Sequence, residues 1–298
     1  MYVVNDQLDG SITIYQGYKM ISKSPLRYPG GKVKLYTFMS NLINENTDNP
    51  PVYVEPFAGG AGLALELLFN GVVNRVKIND FDPAIYSFWY SITTEETFHL
   101  FVDYLDKVEV NIEEWYHQKD IYLNQSNHSQ LELGFATFFL NRCNRSGILK
   151  AGPIGGKKQD GKYKIDCRFN KDKLKSLINK IYEYRNQIDV TNENAEDFIK
   201  RIDQYYDDLF IYLDPPYVEK GSSLYKNSFE MKDHISLCNA IKELDNKWFV
   251  TYDNNDLIKD LYSEYTLKLF DINYSAGSKR KENEIAVYSN NLRYKIVP

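Results

Sequence analysis

Apolar positions along this chain switch repeatedly between two periods. Leu35, Phe38, Met39, Leu42 and Ile43 recur at the spacing of one helix face. Val52, Tyr53 and Val54 then form a short continuous apolar run, as in a strand buried on both sides. The same change repeats downstream. Strands are predicted at 76–78, 187–191, 209–213, 247–252, 266–272 and 284–288. Helices are predicted at 63–69, from about 83, and at 195–203, 232–244 and 255–262. Alternating strands and helices imply a mostly parallel sheet covered by helices on both faces.

Two stretches depart from this alternation. Residues 93–140 read as consecutive helices and are acidic. Residues 147–166 hold five glycines among lysines, which is the turn chemistry of a β-hairpin. Residues 1–23 read as an N-terminal arm or a strand.

What ends each strand carries the chemistry. The first ends in Glu55-Pro56-Phe57-Ala58-Gly59-Gly60-Ala61-Gly62, and the second in Asn79-Asp80, about twenty residues after the glycines. Glycines let a ligand approach the backbone, and an acid at that spacing takes ribose hydroxyls, so the pair predicts a site for an adenosine-containing cofactor. The apolar run at 210–213 stops in Asp214-Pro215-Pro216-Tyr217. Proline fixes its own φ and lacks an N–H, so this corner is stiff and rich in acceptors. Such a corner suits methyl transfer to an exocyclic amino group. That nitrogen is a poor nucleophile because its lone pair is conjugated into the base. The Asp214 carboxylate and the Pro215 carbonyl can hold its two N–H bonds and free the lone pair. Tyr217 can stack on the base, worth roughly 1–3 kcal/mol.

Charge sharpens the picture. The 298 residues carry a net charge of −5, yet Arg142 to Arg185 holds thirteen Lys/Arg against four Asp/Glu. That segment is locally +9 and the remainder −14, a segregation expected of a phosphate-binding surface. Three scattered cysteines predict a reduced cytoplasmic chain, and four histidines outside any ligand spacing predict no metal. No apolar run predicts a membrane span, and no signal-peptide pattern is present.

These motifs resemble the Dam-like DNA adenine methyltransferases over about 24–292. The matching stretches are L-R-Y-P-G-G-K at 26–32, V-E-P-F-A-G-G-A-G at 54–62, I-N-D-F-D at 78–82, L-N-R-x-x-x-x-G-I at 140–148, L-D-P-P-Y at 213–217 and S-K-R-K-E-N-E at 278–284. Their order is that of the family's α arrangement. The resemblance implies a Rossmann-like class I methyltransferase sheet with an inserted, mainly helical target-recognition domain carrying the β-hairpin. It divides the chain into an arm (1–23), a catalytic domain (24–92 and 186–298) and a recognition domain (93–185). It implies S-adenosylmethionine as cofactor, S-adenosylhomocysteine as product and a flipped-out adenine of double-stranded DNA as substrate. Tyr28, Lys32, Phe57, Gly59, Asp80 and Asp214 are expected at the cofactor, with Asp214, Pro215 and Tyr217 catalytic.

For DNA, the expected contacts are Arg142, Arg145, Lys150 and Arg168. Lys150 stands where GATC-reading members carry arginine, and Arg145-Ser146 replaces their aromatic-asparagine wedge, so GATC specificity is not expected to carry over. The resemblance further implies a monomer in a prokaryotic or phage-derived setting, associated with the nucleoid, with a cognate restriction enzyme as a candidate counterpart. The alternatives left open are an amino-cytosine DNA methyltransferase and a catalytically dead DNA-binding relative. A nicotinamide oxidoreductase is disfavoured, since a clean G-x-G-x-x-G is absent.

Overall fold

A computed structural model of the chain describes residues 4–6, 12–14, 22–28, 31–218, 229–274 and 280–293. Among the described residues nine strands form one sheet: β1 (Val4–Asp6), β2 (Ile12–Ile14), β3 (Val52–Glu55), β4 (Arg75–Asn79), β5 (Ile188–Thr191), β6 (Leu209–Leu213), β7 (Lys247–Asp253), β8 (Thr266–Tyr274) and β9 (Arg280–Tyr288). They lie in the order β1-β2-β8-β9-β7-β6-β3-β4-β5. The five strands β5-β4-β3-β6-β7 are parallel. β9 inserts antiparallel between β7 and β8. The Rossmann-like class I methyltransferase sheet expected from the sequence is therefore present. The segment expected as an arm supplies β1 and β2, which extend the sheet beyond β8.

Every residue of β6 is buried, which accounts for its unbroken apolar run. Phe210 and Tyr212 join the core on one face of the sheet, whereas Leu209, Ile211 and Leu213 join the core on the other. Burying side chains of this size contributes roughly 1.5–3 kcal/mol each relative to exposure. β3 lies between β4 and β6, so the chain winds outwards from β3 in one direction and later resumes on its other side. Ligands of open α/β sheets bind in the crevice this reversal leaves at the strands' carboxyl ends.

The first core also holds the helical insertion. It joins helix α1 (Tyr36–Asn46) and α2 (Gly62–Phe69) to α3 (Pro83–Thr93), α4 (Glu95–Lys107), α5 (Ile112–Leu123), α6 (Gln130–Cys143) and α7 (Lys171–Glu183). Local signals set these helix starts. Asn111 caps α5 by accepting from Glu114 N, Ser129 and Glu132 form a capping box on α6, and Asn170 caps α7.

The glycine-rich stretch is not the β-hairpin expected from its turn residues: it runs as successive tight turns, with a single antiparallel bridge between Asn144 and Pro153. Gly147, Gly155 and Gly156 all have φ between 75° and 84°, which curls the chain before two strands can align. Of the quoted motifs, Pro29, Gly30, Ser278 and Lys279 lie outside the described residues. Among the described residues no helix is long and apolar enough to cross a membrane.

Candidate active site

The strand-end motifs meet at the predicted crevice. A cavity of about 750 Å³ is lined by Tyr28, Lys32, Phe57, Gly59, Asp80 and Asp214 among others. β3 delivers the glycine loop, whose Gly59 has φ 47°. A side chain there is excluded twice, by this left-handed backbone and by the Tyr28 ring, which a Cβ would meet at 2.6 Å. Tyr28 therefore caps the loop it was expected to accompany. Asp80, at the end of β4, accepts from Gly59 N at 2.8 Å and from Asp82 N at 2.9 Å. Trp89 Nε1 donates to Gly59 O at 2.9 Å and fixes the loop from below. Burial outweighs these bonds and pushes the Asp80 carboxyl up to about 7.

The D-P-P-Y corner follows β6 directly. Asp214 Oδ1 and Oδ2 accept from Lys32 Nζ at 2.7 and 2.8 Å, and the Tyr217 hydroxyl lies 3.0 Å from the same ammonium. Glu284 on β9 completes the cluster. It accepts from the Tyr217 hydroxyl and lies 3.8 Å from Lys32. Burial by itself would lower the Lys32 ammonium, but the carboxylates of Asp214 and Glu284 outweigh it and hold it well above the usual lysine range. Pro215 is buried, and Pro216 rather than Pro215 contributes to the cavity wall. Tyr217 is half-buried, and its hydroxyl is held between Lys32 and Glu284.

The basic segment meets the same cavity through Arg142 and Lys150. Arg142 turns its guanidinium onto the carbonyls of Arg168 and Pro25. It acts as a brace between segments. Burial and the nearby Arg27 and Arg168 push it down to about 10. Arg145, Lys150 and Arg168 are exposed.

Sequence reasoning does not single out Arg27, Glu55, Asn141, Thr251 or Glu284. Asn141 accepts from Arg27 N at 2.7 Å and donates to Arg27 O and Gly147 O. Gly147 has φ 77°, and a Cβ there would lie 2.1 Å from Arg27 O. These contacts explain the L-N-R-x-x-x-x-G spacing as a joint between the start of the chain and the loop after α6. Glu55 Oε1 accepts from the Tyr53 hydroxyl and Ala64 N, each at 3.1 Å, and burial pushes its carboxyl up to about 8. The signals were present, since Glu55 and Glu284 stand inside quoted motifs. The partners of Glu284, Tyr217 and Lys32, lie too far along the chain for a spacing rule to find.

A family profile described as D12 class N6 adenine-specific DNA methyltransferase matches residues 28–275. Among curated proteins, the type II methyltransferase M1.LlaDCHI of Lactococcus lactis subsp. cremoris is 24% identical over 270 residues, covering 85% of this chain and 89% of its own. M.MjaIII of Methanocaldococcus jannaschii is 25% identical over 264 residues, covering 82% and 89%. M.CviBI of a Paramecium bursaria Chlorella virus is 23% identical over 245 residues, covering 82% and 87%.

Proposed function

The chain belongs to the D12 class N6 adenine-specific DNA methyltransferases, and from that premise we propose how its residues divide the reaction. Asp214 carries the chemistry. Its carboxylate, with a backbone carbonyl of the adjoining proline corner whose Pro216 lines the cavity, accepts the two N–H bonds of the adenine amino group and turns the nitrogen lone pair outwards. Tyr217 lies against the base, with its hydroxyl anchored by Lys32 and Glu284. The observation behind this reading is that Asp214 opens onto the same cavity as the glycine loop and Asp80. The cavity fits the expected cofactor. A carboxylate with two backbone donors keeps lone pairs for ribose hydroxyls, and Phe57 and Tyr28 supply apolar walls. S-adenosylmethionine, when bound there, supplies an electrophilic methyl group on sulfur. Alignment and charge stabilisation then suffice, and no covalent enzyme intermediate is needed.

The target amino group is stacked inside a duplex, so the base must be extruded, at a few kcal/mol. The basic segment within 93–185 offsets this through phosphate contacts and bears on site choice. It shares one apolar core with the catalytic part, so the two divisions differ in role more than in packing. In support, Arg27, Arg142 and Arg168 lie close enough to perturb one another, and among the described residues none is paired with a carboxylate. The type II names of the relatives favour a cognate restriction enzyme as counterpart.

Sequencing of modified bases in DNA from a host expressing this chain tests the activity. N6-methyladenine in a single sequence context is expected, and methylcytosine alone would overturn the reading. Replacing Arg145, Lys150 and Arg168 together by alanine should weaken DNA binding and flatten its salt dependence by about 0.9 in log–log slope per lost phosphate contact. Cofactor affinity should not change. An equal loss of cofactor affinity, measured by calorimetry, would make the segment structural.

The Asp80 carboxyl gives a pH test. Ribose hydroxyls donate to its ionised form, and below about 7 it takes up a proton and ceases to accept from both. Cofactor affinity should therefore fall as pH drops from 8 to 6, by at most about tenfold per pH unit. Asp80→Asn should bind weakly at both pH values. A wild-type profile as steep in Asp80→Asn as in the parent would assign the effect to the cofactor's own amino group.

A further inference from the structure

We propose that Thr251 is a positioning residue that selects which oxygen of Asp214 receives the adenine amino group, an inference that rests on the catalytic role of Asp214 argued above. Thr251 lies on β7, fully buried, one residue beyond the last register pair that β7 makes with β6. Its hydroxyl donates to Asp214 Oδ1 at 3.1 Å and lies 2.8 Å from the Tyr212 hydroxyl. A carboxylate only accepts, so the single Thr251 proton is committed to Asp214, and Tyr212 must be the donor to Thr251. Tyr212 is suited to that part. Burial, then the Asp214 charge, raises its hydroxyl well above the usual tyrosine range, so the proton stays on. The result is a directed chain from Tyr212 through Thr251 to Asp214.

Counting acceptor sites gives the consequence. Each carboxylate oxygen has about two lone-pair directions. Oδ1 receives Lys32 and Thr251 and is filled, whereas Oδ2 receives Lys32 alone. Oδ2 keeps the one open direction, and the structure thereby assigns it as the acceptor for the adenine N–H. Without the Thr251 hydroxyl, Oδ1 and Oδ2 become equivalent towards the base. The carboxylate can then rotate about its Cβ–Cγ bond, and the amino group can bind in two poses, only one of them aligned for transfer.

Thr251→Val keeps shape and β-branching and removes the donor. Its expected signature is kcat reduced roughly tenfold or more, the scale on which small misplacements act. KM for DNA and for cofactor should stay within about twofold, and Thr251→Ser should restore kcat, because the hydroxyl rather than the methyl group does the orienting. Wild-type kcat in Thr251→Val, alongside an inactive Asp214→Ala, would overturn the proposal and leave the catalytic role of Asp214 standing. So would a Thr251→Ser protein as slow as Thr251→Val. If Thr251→Val does not fold, Thr251→Ala carries the test beside Thr251→Ser: lowered kcat at unchanged KM in the alanine variant alone supports the role of the hydroxyl, and wild-type kcat in it overturns the proposal. An active Asp214→Ala would instead remove the reading on which the proposal stands.

Discussion

Asp214→Ala leaves a folded protein that no longer methylates DNA. The carboxylate is the one side-chain acceptor that the D-P-P-Y corner aims at the cavity, and an alanine methyl group holds no N–H bond. The amino nitrogen then keeps its lone pair in the ring, and the loss should reach at least about 10³-fold, as for other preorganised groups at a reacting atom. The fold should survive for two reasons. Asp214 follows β6 at the cavity edge, with 24% of its side chain exposed. Lys32, which loses its nearest partner, still has Glu284 at 3.8 Å and the Tyr217 hydroxyl at 3.0 Å. The measurement is transfer of a tritiated methyl group into DNA, together with calorimetric cofactor binding and a melting curve. Incorporation near the wild-type rate would sink the assignment of Asp214.

The second large effect is on Lys32, and it combines activity with stability. Lys32 is 5% exposed and faces two carboxylates, one of them 1% exposed. Lys32→Met keeps the apolar stem and removes the cation, so Asp214 and Glu284 face each other without a countercharge. Removing one partner of a buried charge group typically destabilises by about 3–5 kcal/mol. The pH dependence identifies the cause. In the parent, the Lys32 value is raised above its usual range, so its contribution is complete at neutral pH and is lost only as pH rises through that raised value. In the variant, the two carboxylates relieve their repulsion by protonation, so its stability recovers as pH falls. The difference in melting temperature between parent and variant should therefore be wide at pH 8 and narrow towards pH 5. A constant difference across that range would mean that lost packing, not charge, explains the change. Activity should be lost with it, since the cation that holds both Asp214 oxygens and the Tyr217 hydroxyl in place is gone.

Much of the site was readable because its signals are local. A stiff acid-proline-aromatic corner marks a strand end whatever surrounds it. Glycines before a helix and an acid after the next strand mark a nucleoside site for the same reason. The glycine-rich basic segment shows the limit of such signals. Turn residues predict reversal, but a β-hairpin also needs two extended arms that pair, and successive left-handed glycines deny it those. Arg142 shows another limit. Charge counting placed it with the expected phosphate contacts, and only the packed structure turns its guanidinium onto two carbonyls.

By itself the sequence determined the alternating sheet, the run of helices and the basic segment that follows it, the order of the motifs and the residue types that gather at the cavity. These follow from short-range periodicity and from conformational limits that proline and glycine carry wherever they stand. The tertiary structure alone decided which distant groups surround Asp214. Thr251 reaches it because β7 lies beside β6, and Glu284 reaches Tyr217, 67 residues away in sequence, because β9 inserts next to β7. Strand order is set by the packing of whole faces, a long-range sum that no local pattern encodes. The position of the Asp214 carboxylate depends on that order.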